Sequence, residues 1–180
     1  MSETITGNSR MQEVLQVFPG AQRALFRKYH IGGCSSCGFQ PDETLAGVCE
    51  RNGDLTVADV LEQVRQSHEE DARILIEPSD LAGRLEAGED IRLVDIRSRE
   101  EFEAVHIDGS VMLTQPLMQE ILGTWDNDQR FVMIDHQGTK GLDAAAYYSG
   151  HGMPNVHALR DGIDAWSLEV DSAIRRYTLN

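Results

Sequence analysis

In the first part of the chain apolar positions recur at helical spacing. Met11, Val14, Leu15 and Phe18 form one short stripe, which Pro19-Gly20 stops. Ala21, Ala24, Leu25 and Tyr29 form a second. A loop with three glycines follows, and Pro41 is placed to open a third helix, with Asp42 and Glu43 in its first turn. Leu45, Val48 and Cys49 share its inner face, and Asn52-Gly53 ends it. Thr56 with Asp59 reads as the N-cap pair of a fourth helix, whose face is Val57, Val60, Leu61 and Val64. The first ten residues are polar and expected to fray. Residues 67–72 (SHEEDA) are polar throughout and read as a linker.

The pattern changes at Arg73. Short apolar runs at 74–76, 91–96, 131–134 and 156–159 alternate with segments of helical spacing. One helix is capped by Ser79, turns Leu81, Ala82 and Leu85 inward and ends at Gly88. A helical turn is expected at 100–104, a helix at 116–122 with Leu117, Ile121 and Leu122 inward, and further helices at 142–148 and 163–168. Residues 111–113 read as strand or loop, and the tail either lies on the surface or packs back through Ile174 and Tyr177. This alternation predicts an α/β fold, and the continuous apolar core of 91–96 predicts a parallel sheet with helices on both faces. The expected organisation is a small all-α domain over residues 1–68 and an α/β domain over 73–180. About 60 residues give the first a thin core.

The chain has 180 residues, 30 acidic against 16 basic, for a formal net charge of −14. Such a chain repels nucleic acid and anionic membrane surfaces, so neither is expected as a partner. No apolar run approaches the roughly 20 residues needed to span a bilayer. The first ten residues lack the basic start and apolar core of a secretion signal, so the cytoplasm is the expected location.

The three cysteines are Cys34, Cys37 and Cys49. In a reducing compartment an odd, clustered set points to redox, sulfur or metal chemistry more than to a structural disulfide. Two thiols in a CxxC can meet around a tight turn, and the first usually has the lower pKa. His30, Cys34, Cys37 and Cys49 would also make a tetrahedral zinc or iron–sulfur set. Against this, Cys49 lies on the apolar stripe of its helix, where free cysteine is a common core residue, and His30 reads as a helix cap. The second CxxC of a zinc site is missing, which favours redox or sulfur chemistry at Cys34 and Cys37, with no metal or cofactor expected.

In the second part, residues 131–148 (FVMIDHQGTKGLDAAAYY) read as strand, tight loop and helix. There, loop N–H groups and the helix N-terminus favour negative charge. Asp135 ends the strand, and the loop is His136, Gln137, Gly138, Thr139, Lys140 and Gly141. Of the histidines His106, His136, His151 and His157, which lie on four different elements, only His136 is expected to line the loop.

Two resemblances fit these readings. Residues 5–66 resemble the small helical domain known as the hybrid-cluster-protein-associated disulfide domain, through two short helices, a Gly-Cys-x-x-Cys loop and a third helix. The chemistry this implies is redox-active cysteine. LVDIRSREEFEAVHIDGS resembles the first signature of rhodanese domains, with Asp95, Arg97, Glu101, Phe102, His106, Ile107 and Gly109 on the pattern. NVHALRDGIDAW resembles the closing signature at Gly162, Ile163, Ala165 and Trp166, and AAAYYSGHGMPNV resembles the helix and strand between. The implied fold is a rhodanese-like parallel sheet of four or five strands over about residues 74–170.

Active sulfurtransferases of that family carry sulfur as a persulfide on a cysteine at the end of the fourth strand. The resemblance puts Asp135 at that position, Lys140 where Arg is common and Gly141 where Ser or Thr is usual. A carboxylate forms no persulfide, so the usual reaction is not expected on Asp135. The preferred reading is a loop kept for packing. The sharper ones make Asp135 a general base or the loop a binder of a partner's thiol. Together these expectations describe a two-domain protein of sulfur or redox metabolism. Cys34 and Cys37 are its thiols, Asp135 is the third candidate catalytic residue, and a protein partner is possible. The alternatives are a non-catalytic module for a sulfur-carrier or iron–sulfur protein, and a metal site at the N-terminal cysteines.

Overall fold

The computed structural model describes residues 4–32, 38–53 and 55–178. It divides into two compact units, Met1–Ala72 and Arg73–Asn180.

The first unit contains α1 (Met11–Val17), α2 (Ala21–Tyr29), α3 (Leu45–Arg51) and all but the last two residues of α4 (Val57–Ile74). Met11, Val14, Leu25, Leu45, Val48, Cys49, Val60 and Val64 meet in one core. Short helices leave a large share of their N–H groups without intrahelical partners. Here two segments solve that reciprocally. The N–H groups of Met11 and Gln12 donate to the carbonyls of Glu43 and Pro41, while those of Leu45 and Ala46 donate to the carbonyls of Ser9 and Gly7. This exchange corrects two expectations. Residues 4–10 do not fray, since Ile5 is buried in the core. The third helix starts at Leu45 under a Thr44 cap rather than at Pro41, because the carbonyls of Pro41 and Glu43 are committed to α1. The expected linker is likewise helix: residues 67–72 continue α4, with Ser67 buried and Asp71 buried in an ion pair with Arg23.

The second unit runs β1 (Leu75–Ile76), α5 (Pro78–Glu86), β2 (Ile91–Asp95), α6 (Arg99–Ala104), β3 (Ser110–Met112), α7 (Gln115–Gly123), β4 (Arg130–Ile134), α8 (Thr139–Gly150), β5 (Val156–Leu159) and α9 (Gly162–Glu169). All pairings in the five-stranded sheet are parallel, in the order β1-β5-β4-β2-β3. Strand alternation sorts side chains to two faces. Leu93, Val132, Ile134 and Leu159 join Leu81, Ile163 and Trp166 on one side. Val94, Phe131, Met133 and Ala158 join Ile121, Ala145 and Tyr148 on the other. The rhodanese-like α/β architecture is therefore that of a central β4 covered on both faces.

Three local expectations shift. Pro78 opens α5 behind Glu77, so Ser79 is inside the helix and not its cap. Helix α8 begins at Thr139, two residues before Gly141, because Gly138 at φ 87° makes the turn that the sequence reading spread over the whole loop. Leu122 is exposed; Ile121 and Leu117, one turn apart, take the inward stripe of α7.

Phe131 is fully buried at the centre of the sheet, with Trp125 and Tyr148 edge-on to its ring at 5.3 and 5.7 Å. Phe131→Ala should cost about 3–5 kcal/mol. Both tryptophans, Trp125 and Trp166, lie in this unit, so urea unfolding followed by their fluorescence reports the loss directly. A midpoint unchanged from the parent chain would show that the site collapses without cost.

Candidate functional site

Asp135 follows the last residue of β4 and points into the turn that opens α8. It is 4% exposed. Its Oδ1 accepts from the Gly138 N–H at 2.7 Å and its Oδ2 from the Lys140 N–H at 2.9 Å. The carboxylate thus occupies a nest of backbone donors at a helix N-terminus, an arrangement that favours an anion. Burial nevertheless pushes the Asp135 carboxyl above its ordinary value. The N–H groups of Gly141, Gly138 and Lys140 oppose that shift without cancelling it. Gly141 fits here because only a Cα hydrogen faces the carboxylate: a Cβ in its place would lie 3.0 Å from Oδ1.

The loop is held by contact with the β5–α9 turn. Asp161 and Gly162 both take left-handed conformations, φ 51° and 62°. The N–H groups of Ile163 and Asp164 donate to the carbonyls of Asp135 and His136 at 2.9 and 3.2 Å. The backbones approach so closely that a Cβ on Gly162 would meet the Asp135 carbonyl oxygen at 2.4 Å, and one on Gly138 would meet the Asp161 nitrogen at 2.6 Å. Both glycines therefore serve two purposes, positive φ and close approach.

The opposite wall comes from the end of β2. Arg97 and Asp95 form a buried pair, with Nη2 to Oδ2 at 2.6 Å and Nε bridging both carboxylate oxygens at 3.0 and 3.1 Å. Arg97 also donates to the Val105 carbonyl and, through Nη1, to the Tyr177 hydroxyl at 2.9 Å. That hydroxyl in turn donates to Glu101 at 2.7 Å. Burial raises the Glu101 carboxyl, but Tyr177, Ser98 and Arg97 together outweigh it and hold the group below its ordinary value. The Tyr177 hydroxyl is pushed up to about 12, by burial first and then by its bond to Glu101. The Tyr177 ring stacks on His136 at 4.3 Å, and the His136 Nε2 lies 3.0 Å from the Tyr177 carbonyl oxygen. The tail is brought there by buried Ile174, by Ser167 donating to the Ile174 carbonyl, and by Arg176 paired with Asp164.

Between the Asp135 loop and this wall lies a cavity of about 260 Å³, lined by Arg97, Ser98, Glu101, Asp135, His136 and Lys140 among others. Its position follows from topology. The chain leaves β2 toward one face, where Val105 and Ile107 pack, and leaves β4 toward the other, where Leu142 and Ala145 pack. Diverging connections from adjacent parallel strands open a crevice at their carboxyl ends.

The structure brings together Asp135, His136, Gln137, Thr139 and Lys140 as lining residues, with Gly138 and Gly141 shaping the turn. Cys34 and Cys37 lie outside the described residues. Cys49 is a buried member of the helical core, its thiol pushed up by burial. His30 closes α2 in a left-handed conformation. Of the other histidines, His106 stacks on Phe102, His151 packs on Tyr147, and His157 is at the far end of β5. Sequence reasoning missed Tyr177 as a site residue. A lone aromatic in the polar tail SAIRRYTLN was its one visible signal. Among the described residues no helix is long and apolar enough to cross a membrane.

Comparison with known proteins matches residues 77–169 to the rhodanese-like domain model. The thiosulfate sulfurtransferase GlpE of Shewanella oneidensis is 32% identical over 76 residues, 42% of this chain and 75% of that one. GlpE of Pseudomonas syringae is 32% identical over 74 residues, 41% of this chain and 70% of that one. A human single-domain sulfurtransferase, TSTD1, superposes with a TM-score of 0.48 at 20% identity, over 53% of this chain and 96% of its own.

Two outcomes are expected from this geometry. Because the folded-state pKa of Asp135 is raised, the native state binds its proton more readily than the unfolded chain does. Relative to Asp135→Asn, the parent chain should be at its most stable below the ordinary carboxylate value. It should lose ground as pH rises from there through the raised value, then level off. Paired urea titrations across the acid-to-neutral range check the sign, and a parent chain gaining ground instead would mean that the N–H groups outweigh burial. Gly162→Ala forces a Cβ into the Asp135–His136 backbone, and should destabilise this unit by about 2 kcal/mol or more in the same fluorescence measurement.

Proposed function

The chain belongs to the rhodanese-like family, and from that premise we propose that it serves sulfur or redox metabolism without relaying sulfur at the family's loop. The observation that carries this reading is the Asp135 carboxylate, already seated on the N–H groups of Gly138 and Lys140. In the resemblance this is the position of the persulfide cysteine, whose thiolate needs those same donors. A carboxylate oxygen has no sulfur to extend into a persulfide. All three cysteines precede residue 50, so sulfur chemistry on this chain falls to Cys34 and Cys37.

In this reading the Cys34 thiolate attacks the outer sulfur of a sulfane donor such as thiosulfate. A persulfide forms and sulfite leaves. Cys37 can then attack the inner sulfur of Cys34, closing a disulfide and releasing hydrosulfide, or an acceptor thiolate can take the outer sulfur. The rhodanese-like unit binds or presents, and the cytoplasm is the compartment that keeps a dithiol reduced. A second reading rests on the 260 Å³ cavity, which stays open beside Asp135. It makes that unit a non-catalytic recognition module for a sulfur-carrier or iron–sulfur protein.

Mass spectrometry of the full chain after thiosulfate or polysulfide should find persulfide, or a Cys34–Cys37 disulfide, on the peptide holding those residues, and none in Cys34→Ser. Equal sulfur loading in that variant would remove Cys34 from the chemistry. Asp135→Cys places a thiolate in the nest and should raise thiosulfate:cyanide turnover at least about tenfold over the parent chain. No gain would show that the loop is no persulfide cradle.

A further inference from the structure

A second cavity, of about 380 Å³, opens at the other end of the same sheet. It is bounded by the amino-terminal ends of β2, β4 and β5 and by the last turn of α5. Arg130 begins β4 and Asp135 follows its end, so at about 3.3 Å per residue the two lie about 16 Å apart along the strand. This space shares no lining residue with the site described above.

Register explains which side chains reach it. Ile91 pairs with Arg130 and Val132 with His157. By strand alternation these four fall on the face that α5 covers, with Ile91 and Val132 packed in that face's core. Arg84, in the last turn of α5, overlooks them. The result is an apolar floor of Ile76, Ile91 and Val132 under a rim holding Arg84, Arg130 and His157. Three nitrogen bases converge there on a chain whose formal charge is −14.

Their charges are only partly matched. Arg130 pairs with Glu89 at 2.8 Å. Arg84 makes no ion pair among the described residues. His157 is half-buried; burial lowers its pKa, a backbone hydrogen bond at Asn155 opposes this, and the charges of Arg84 and Arg130 lower it further. Among the described residues lining the cavity Glu89 is the one carboxylate, against two guanidinium groups and an imidazole. Guanidinium groups present paired donors that match the oxygens of carboxylate or phosphate. The cavity is within the size range of pockets for small organic molecules.

We propose that this cavity binds a small organic oxyanion, with its carboxylate or phosphate on Arg84, Arg130 and His157 and its body on the apolar floor. The bound charge would favour the imidazolium form of His157, so binding and His157 protonation are coupled.

The test uses the full chain and three probes: inorganic phosphate, citrate and glucose 6-phosphate. Each is added at about 10 mM, enough to fill nine-tenths of a millimolar site, while the histidine side chains are titrated by NMR. At least one probe should raise the His157 pKa and leave His136, beside Asp135, unmoved. A response to citrate alone assigns a carboxylate, and one to glucose 6-phosphate or phosphate assigns a phosphate. Arg84→Gln, an exposed helix substitution, should weaken binding about tenfold or more. The proposal fails if no probe moves His157, if only His136 moves, or if Arg84→Gln binds as tightly as the parent chain.

Discussion

Two loops pressed together without side chains between them hold the second unit's site in place. The turn after β4 and the turn after β5 meet backbone to backbone, and the contact works because Gly138 and Gly162 have nothing to interpose. The Ile163 and Asp164 N–H groups then satisfy the carbonyls of Asp135 and His136. These are carbonyls that leave the sheet and enter no helix, so they would otherwise be buried without partners, at a cost of about 1–3 kcal/mol each. The interlock fixes the peptide planes on either side of Asp135. Fixed planes give the N–H groups of Gly138 and Lys140 a common direction, and the carboxylate follows.

The site's electrostatics come from the balance between that nest and its burial. Dehydration acts on the whole carboxylate, whereas each N–H contributes one hydrogen bond, and dehydration prevails. Across the cavity the balance runs the other way. Arg97 is held by Asp95, Val105 and Tyr177, and Glu101 gains enough donors to stay readily ionised. Arg97 is thereby a structural cation, committed to its own wall, and among the described lining residues Lys140 is the other Arg or Lys. A ligand entering here would meet a filled anion nest, which distinguishes this cavity from one shaped to take an anion.

The helical unit shows the same economy of backbone groups. Helices of seven to nine residues, such as α1, α2 and α3, would leave most of their terminal N–H groups unpaired. Gly7 and Ser9 supply acceptors to the start of α3, and Pro41 and Glu43 supply them to the start of α1, so a thin core is closed by hydrogen bonds that a larger one would not require. Asp71 joins this unit through Arg23, which is why a stretch of charged sequence continues as helix.

The sequence alone was enough for the class of fold and for the loop that matters. Apolar runs of three to six residues, alternating with stripes of helical spacing, leave few arrangements other than a covered parallel sheet. The rhodanese-like signatures around Asp95 and Gly162 narrowed these to one. Asp135 at a strand end before a Gly-containing turn was legible for the same local reason. Helix starts were not, because Leu45 and Thr139 begin helices where distant carbonyls or a left-handed glycine decide, and composition carries no trace of either. Nor could residues 67–72 be recognised as helix, since the partner that buries Asp71 is Arg23, 48 positions away. Tyr177 reached the site, and Arg84, Arg130 and His157 reached one rim, only through tertiary packing. Strand register and a tail anchored at Ile174 set those meetings, and both are long-range contacts that no local pattern encodes.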